Sequence, residues 1–169
     1  MRIHEDDGEI IVKLLIIGAG GYGRLVAEIA QMIGWKIIDY LDDNSADAVG
    51  KIEELEELQN LYDGVVIAIG DANVRKNIAK KAEKLVSIIH PTAVISPSSK
   101  IDDGCVIEAN VVINSVAEIC ECSYICAGAV VNHDAKVASY CQVDCNAVVG
   151  QGSKVPEKTK VKSCCEYKS

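Results

Sequence analysis

The run AVISPSSKIDDGCVIEANVVINSVAEICECSYICAGAVVNHDAKVASYCQVDCNAVVGQGSKVPEKTKV, from Ala93 to Val161, repeats every six residues. Ile or Val occupies each sixth position without a miss: Ile95, Ile101, Ile107, Ile113, Ile119, Ile125, Val131, Val137, Val143, Val149, Val155 and Val161. Two residues before each stands a small or short side chain, from Ala93, Ser99 and Cys105 through Ala147, Ser153 and Thr159. A period of six fits neither an α-helix nor a coiled coil. It is the pattern of a parallel β-helix built from hexapeptide repeats. Three hexads make one triangular coil of eighteen residues, with the Ile/Val row filling the interior and the small row fitting the tight space beside the corners. Each coil hydrogen-bonds to the next at roughly 4.8 Å.

Outward from this array, composition bounds the rest. The 169 residues suffice for one or two small domains, and 49% hydrophobic content is enough to build cores. Phe is absent and aromatics are 4%, as a prism filled with Ile, Val and Ala requires. No apolar run approaches the roughly 20 residues that span a bilayer, and Met1–Glu9 is acidic and polar, unlike a secretory signal. The expectation is a cytoplasmic protein without membrane insertion. A formal charge of −8 argues against a nucleic-acid partner. Eight cysteines in such a chain read as free thiols. Folding Cys120, Cys122 and Cys126 onto an eighteen-residue coil separates them, so no metal site is expected.

Before the repeats the chain reads as an open parallel sheet. Residues 1–10 form a tail or short edge element, and 11–90 a Rossmann-like unit. Residues 91–163 are the β-helix and 164–169 a tail. Ile11–Ile17 is an apolar strand ending in Gly18-Ala19-Gly20-Gly21-Tyr22-Gly23, and a helix with Leu25, Val26, Ile29, Met32 and Ile33 on one face follows until Gly34. Lys36–Leu41 is a second strand delivering Asp42 and Asp43. Val65–Ile69 is a third, ending at Gly70, and Asp71 caps the next helix. Val86–Ile89 is a fourth.

Strand, G-x-G-x-x-G, helix and acids about twenty residues on form a dinucleotide fingerprint. About 80 residues cannot hold the two halves a dinucleotide needs, so a single nucleotide or nucleotide sugar fits better, its phosphates near the Gly20–Gly21 amides and the helix N-terminus. A tight turn with close helix packing would use the same glycines. The single histidine of the repeats, His133, is followed by Asp134 and lies two residues past inward Val131, at a corner. A corner imidazole beside a carboxylate suits general-base work, and a solvated turn residue would look the same.

Five motifs in order resemble the bacterial sugar acetyltransferases of the sialic-acid O-acetyltransferase and UDP-amino-sugar N-acetyltransferase (NeuD/PglD) type. They are Ile16-Ile17-Gly18-Ala19-Gly20-Gly21-Tyr22-Gly23, Tyr40-Leu41-Asp42-Asp43, Ala68-Ile69-Gly70-Asp71 with Val74-Arg75-Lys76, Ile89-His90-Pro91-Thr92-Ala93-Val94-Ile95-Ser96-Pro97 and Val131-Asn132-His133-Asp134. The resemblance implies a left-handed β-helix, a homotrimer, acetyl-CoA as co-substrate without a metal, and a sugar nucleotide held by the first domain. Gly18, Gly20, Gly21, Tyr22, Asp42, Asp43, Gly70 and Asp71 would then bind substrate. His133 would be the general base with Asp134 as its acidic partner. The chain departs from the pattern at Tyr22 and at Gln142, where the family can carry histidines; Gln142 is the coenzyme-contacting candidate. The array also runs only about one and a half coils beyond His133. The expected function is acetyl transfer to a nucleotide-linked amino sugar or sialic-acid-type sugar. Its rivals are a shortened non-catalytic relative that binds a sugar nucleotide but not acetyl-CoA, and an NAD-dependent oxidoreductase resting on the glycine loop alone.

Overall fold

The computed structural model describes residues 12–169, together with the backbone of a short antiparallel pair, Glu5–Asp6 with Glu9–Ile10. The expected tail, with His4, and the first residue of the expected strand, Ile11, otherwise lie outside the described residues. The chain divides into two compact units, up to Val86 and from Ser87 onward.

The first unit is a three-stranded parallel sheet, ordered β2-β1-β3, from β1 (Lys13–Ile17), β2 (Ile37–Leu41) and β3 (Gly64–Ile67). Leu14 to Ile17 are fully buried, so this central strand is apolar on both faces, as a covered parallel strand must be. Helix α1 (Gly21–Met32) buries Val26, Ala27, Ile29 and Ala30. Its expected apolar face was too wide: Met32 is 62% exposed, and Leu25 and Ile33 are also exposed. The helix ends where Gly34 takes a φ of 102°, which a side chain resists. A short helical run follows, with α2 (Leu55–Leu58) at its centre, then α3 (Ala72–Ala79), whose N-terminal amides of Asn73 and Val74 donate to Asp71 Oδ1.

The expected fourth strand, Val86–Ile89, is divided. Leu85 makes an isolated parallel bridge to Val65, whereas Ile88–Ile89 pairs with Val106–Ile107 in the second unit. The cause is visible in the repeat itself. Ser87 and Ile89 already occupy the small and apolar positions one hexad before Ala93 and Ile95, so this hexad is captured by the coil. At the other end Cys165 and Tyr167 continue both rows, and Glu166–Tyr167 pairs with Val148–Val149 where a tail was expected.

The second unit is a left-handed parallel β-helix with three faces of two-residue strands stacked at a spacing of eighteen residues. One face runs from Ile88–Ile89 to Lys160–Val161, the next from Val94–Ile95 to Glu166–Tyr167, and the third from Lys100–Ile101 to Lys154–Val155. Ile107 to Val161 along the apolar row are at most 5% exposed, with Cys105, Ala117, Ala129, Ala135, Cys141 and Ala147 sealed beside them. Burying each such Ile or Val stabilises the coil by about 1.5–3 kcal/mol. Every sixth residue from Gly104 to Cys164 takes a positive φ, yet only Gly104, Gly128 and Gly152 of these are glycine. Val116 and Tyr140 adopt the left-handed conformation at φ 59° and 61°. The ladder holds many of them there: Cys122, Asp134, Tyr140, Asn146 and Lys158 each donate their N–H to the carbonyl nineteen residues back.

Candidate functional site

The glycine loop sits between β1 and α1, and its glycines do two different jobs. Gly18 has a φ of 106°, and a Cβ there would lie 2.9 Å from the Ala68 carbonyl oxygen. A Cβ on Gly23 would strike the Gly18 carbonyl. These two are demanded by the fold, for the turn and for close helix packing. Gly20 and Gly70 are exposed, with nothing within 4 Å of an added Cβ, and Gly21 would meet only the Arg24 guanidinium at 3.8 Å. Gly20 is the N-cap of α1 and supplies no side chain to its first amides. The loop thus presents bare backbone and the positive end of a helix to open space, a fit for an anionic ligand.

Asp42, at the end of β2, is spent on this loop. Its Oδ2 accepts from Ala19 N at 2.9 Å, and its Oδ1 accepts from Asn44 N and Ser45 N at 2.8 and 3.0 Å. These amides, Ala19 first, hold its carboxyl below the usual carboxylate range. A carboxylate so occupied braces the loop and is poorly placed to receive a ribose hydroxyl, which weakens the dinucleotide reading. Asp43 Oδ1 accepts from Ile52 N at 3.1 Å. Asp43 also lines an open cavity of the first unit with Lys51, Ile52, Asn77 and Lys81. Tyr22 is half-buried in the first turn of α1. Gly70 is the bare position after β3, and Asp71 serves as the α3 cap. Arg75, part of the Val74-Arg75-Lys76 stretch that accompanies the Gly70-Asp71 motif, had no role assigned from sequence. It is fully buried, and its Nη1 donates to the carbonyls of Ile69 at 2.7 Å and Gly70 at 3.2 Å, fixing the strand-to-helix turn. Its place four residues after the Asp71 cap, on the helix face that meets the sheet, was the available signal.

In the second unit, His133 stands at the corner between the second and third faces with its side chain 45% exposed. Its Nδ1 lies 2.7 Å from Asp134 Oδ2. With the proton on Nδ1 donated to the carboxylate, Nε2 carries the lone pair outward. Asp134 is one of the corner residues with positive φ, at 60°. Its N–H donates to the Ser115 carbonyl, and Gly152 N–H donates to the His133 carbonyl, so one coil on each side clamps the turn. Asn132, next in chain, accepts from Asn114 Nδ2 at 3.1 Å. Gln142 is half a coil away, on the first face. There its Nε2 donates to Asp144 Oδ1 at 2.6 Å, and Lys160 pairs with Asp144 Oδ2 at 3.2 Å. The structure therefore joins His133 to Asp134 and leaves Gln142 in a separate cluster.

Among the described residues no group of three or more His, Cys, Asp or Glu is placed to hold a metal ion, and no helix is long and apolar enough to cross a membrane. Cys105, whose Sγ donates to the Cys120 carbonyl at 3.2 Å, is sealed in the prism, and burial pushes its thiol up to about 12.

A Rossmann-like unit with an open glycine loop, followed by a hexapeptide β-helix with a corner His–Asp pair, defines the class. Residues 13–82 match the PglD N-terminal domain family. The chain is 30% identical over 111 residues to UDP-N-acetylbacillosamine N-acetyltransferase of Bacillus subtilis (strain 168), across 57% of this chain, and spans about half (51%) of that relative's length. The acetyltransferase domain of PglB from Neisseria gonorrhoeae, solved with acetyl coenzyme A, superposes with a TM-score of 0.85 at 28% identity, covering 94% of this chain and 83% of that one. A histidine-to-asparagine variant of perosamine N-acetyltransferase from Caulobacter crescentus, solved with CoA and GDP-perosamine, gives 0.80 at 29% identity, covering 89% and 77%. By these comparisons the chain is similar to acetyltransferases of the NeuD/PglD type.

Proposed function

We propose that the chain is an acetyl-CoA-dependent acetyltransferase acting on a nucleotide-linked amino sugar or a sialic-acid-type sugar, working as a homotrimer in the cytoplasm. Residues 11–90 bind the sugar nucleotide and residues 91–163 carry the transfer. The observation that carries the reading is the His133 Nδ1 to Asp134 Oδ2 contact of 2.7 Å at an exposed corner. Relatives solved with acetyl coenzyme A, or with CoA and a nucleotide sugar, support the two substrates.

In this reading the acceptor amine or hydroxyl attacks the thioester carbonyl while His133 Nε2 removes its proton. The new bond to the acyl carbon forms as the carbon–sulfur bond breaks. The coenzyme leaves as its thiol, taking up the proton, so no metal or covalent enzyme intermediate is needed. Asp134 steadies the imidazolium and fixes its tautomer. The glycine loop receives phosphate on the amides of Gly20 and Gly21, with Tyr22, Asp43 and Gly70 beside it and Asp42 and Asp71 holding its backbone. Most of the rate comes from placing two substrates together. Gln142 meets the coenzyme through its Oε1 or its second Nε2 hydrogen, the first being donated to Asp144.

The test follows thiol release from acetyl-CoA with a panel of UDP- and GDP-amino sugars. His133→Ala lowers turnover by about 10²–10⁴-fold while the mass by light scattering and the melting temperature persist. Unchanged turnover removes His133 as the base. Calorimetry that shows sugar-nucleotide binding without acetyl-CoA binding favours the non-catalytic relative.

A further inference from the structure

The proposed transfer makes no use of the cysteines, and eight thiols in one chain ask for a separate account. They fall into two groups. Cys105, Cys122, Cys126 and Cys141 are buried and Cys120 is half-buried; Cys141 Sγ donates to the Pro156 carbonyl at 2.9 Å. Burial, with Glu108 alongside, holds the Cys126 thiol well above its ordinary range. These are compact apolar side chains. Cys145, Cys164 and Cys165 are exposed, and all three stand on the last turns of the coil.

Cys164 N–H donates to the Cys145 carbonyl at 3.1 Å, the nineteen-residue corner link described above. A bond of that kind holds the two Cα atoms on the order of 5 Å apart, within the range a disulfide spans. A sister corner gives the precedent for side chains in this relation. Tyr140 N–H donates to the Glu121 carbonyl at 3.0 Å in the same way, and there Tyr140 Oη donates to Glu121 Oε1 at 2.8 Å. At that corner, residues nineteen apart stand on the same side of the turn, close enough for their side chains to meet. Cys165 differs. It stands eighteen residues after Ala147 in the row of small residues rather than at the left-handed corner position that Cys164 occupies.

We propose that Cys145 and Cys164 form a redox-modifiable pair, oxidised by a low-molecular-weight disulfide to an intramolecular staple that closes the final coil. One cysteine thiolate attacks a sulfur of oxidised glutathione and expels one glutathione thiolate, leaving a mixed disulfide. The partner thiolate attacks the protein sulfur of that disulfide and expels the second glutathione. Two thiols are oxidised, one glutathione disulfide is reduced to two thiols, and the two protons pass to the departing thiolates. The closed loop encloses residues 146–163, one coil of the β-helix.

The experiment treats the full chain with oxidised glutathione and reads intact mass, peptide linkage and melting. Wild type loses two hydrogens from this pair with no glutathione retained on Cys145 or Cys164, yields a Cys145–Cys164 peptide, and melts several degrees higher until a reductant is added. Cys165→Ser behaves as wild type. Cys145→Ser and Cys164→Ser each keep a glutathione on the remaining cysteine of the pair and show no rise in melting temperature. Three results overturn the pairing: a stable glutathione adduct at Cys145 or Cys164 of wild type, a link that uses Cys165, or no loss of thiols from this pair. All readouts are independent of acetyl transfer, so the pairing and the catalytic reading fail separately.

Discussion

Replacing Gly18 and Gly20 separately by alanine distinguishes a loop built for packing from one built for a ligand. At Gly18 the added methyl meets the Ala68 carbonyl at 2.9 Å, and the φ of 106° lies beyond even the left-handed helical region. A backbone oxygen cannot rotate away, and the Gly18 N–H must keep its 2.8 Å bond to the Leu41 carbonyl. Strain of about 1–3 kcal/mol for the backbone alone, plus the clash, puts the loss at about 2–4 kcal/mol. That lowers the melting temperature of the first unit by about 8–32 °C. At Gly20 the φ of −71° and ψ of −169° are ordinary for alanine, and the Cβ meets nothing within 4 Å. A slightly poorer N-cap offsets a stiffer unfolded chain, so stability changes by less than about 0.5 kcal/mol. The same methyl stands where a phosphate would approach the amides, and weakens sugar-nucleotide binding about tenfold or more, or about 1.4 kcal/mol. Thermal melts and calorimetric titration with a UDP-amino sugar measure both. Equal destabilisation by the two variants, or unchanged affinity in a folded Gly20→Ala protein, refutes the assignment.

Other sites give sharp expectations. Ile125→Ala, at a fully buried position in mid-prism, costs about 2–5 kcal/mol in denaturant unfolding, and a loss under 1 kcal/mol would mean the coil can collapse around it. Asp42 carries a pKa held below its unfolded value, so its contribution is full above about pH 4 and is lost as pH falls through the folded value. Asp42→Asn accordingly flattens the acid limb of the stability curve, and an unchanged acid limb contradicts the brace. Arg75→Ala leaves two carbonyls without their charged donor and a cavity behind, costing about 3–5 kcal/mol by chemical denaturation, and a neutral result means water replaces the guanidinium.

Repeat architecture made one half of the chain unusually readable. A period of six imposes one interior position per hexad, so Ile95 to Val161 announce the prism directly, and Ser87, Ile89, Cys165 and Tyr167 would have extended it had the same rule been pressed past Pro91 and Ser163. Tyr167 is bulkier and Ile89 belongs equally to an apolar strand, which is why the ends blurred. The corner conformations were not legible at all. Val116, Cys122, Tyr140 and Lys158 have no preference for positive φ, and the pattern arises from hydrogen bonds to the coil before, a tertiary constraint that overrides local preference.

The proposed site was legible by residue type and less so by role. His133 and Asp134 are adjacent in sequence, yet adjacency alone does not make a side-chain bond; in the structure the pair meets at a corner where Asp134 takes a positive φ. Asp42 and Asp43 looked alike at the end of β2, but one is consumed by three amides, including one from the glycine loop, while the other borders the open cavity beside Lys51. Sequence motifs therefore mark where chemistry-bearing groups gather. Which of them face a ligand and which hold the backbone for it follows from counting the hydrogen bonds each has already made.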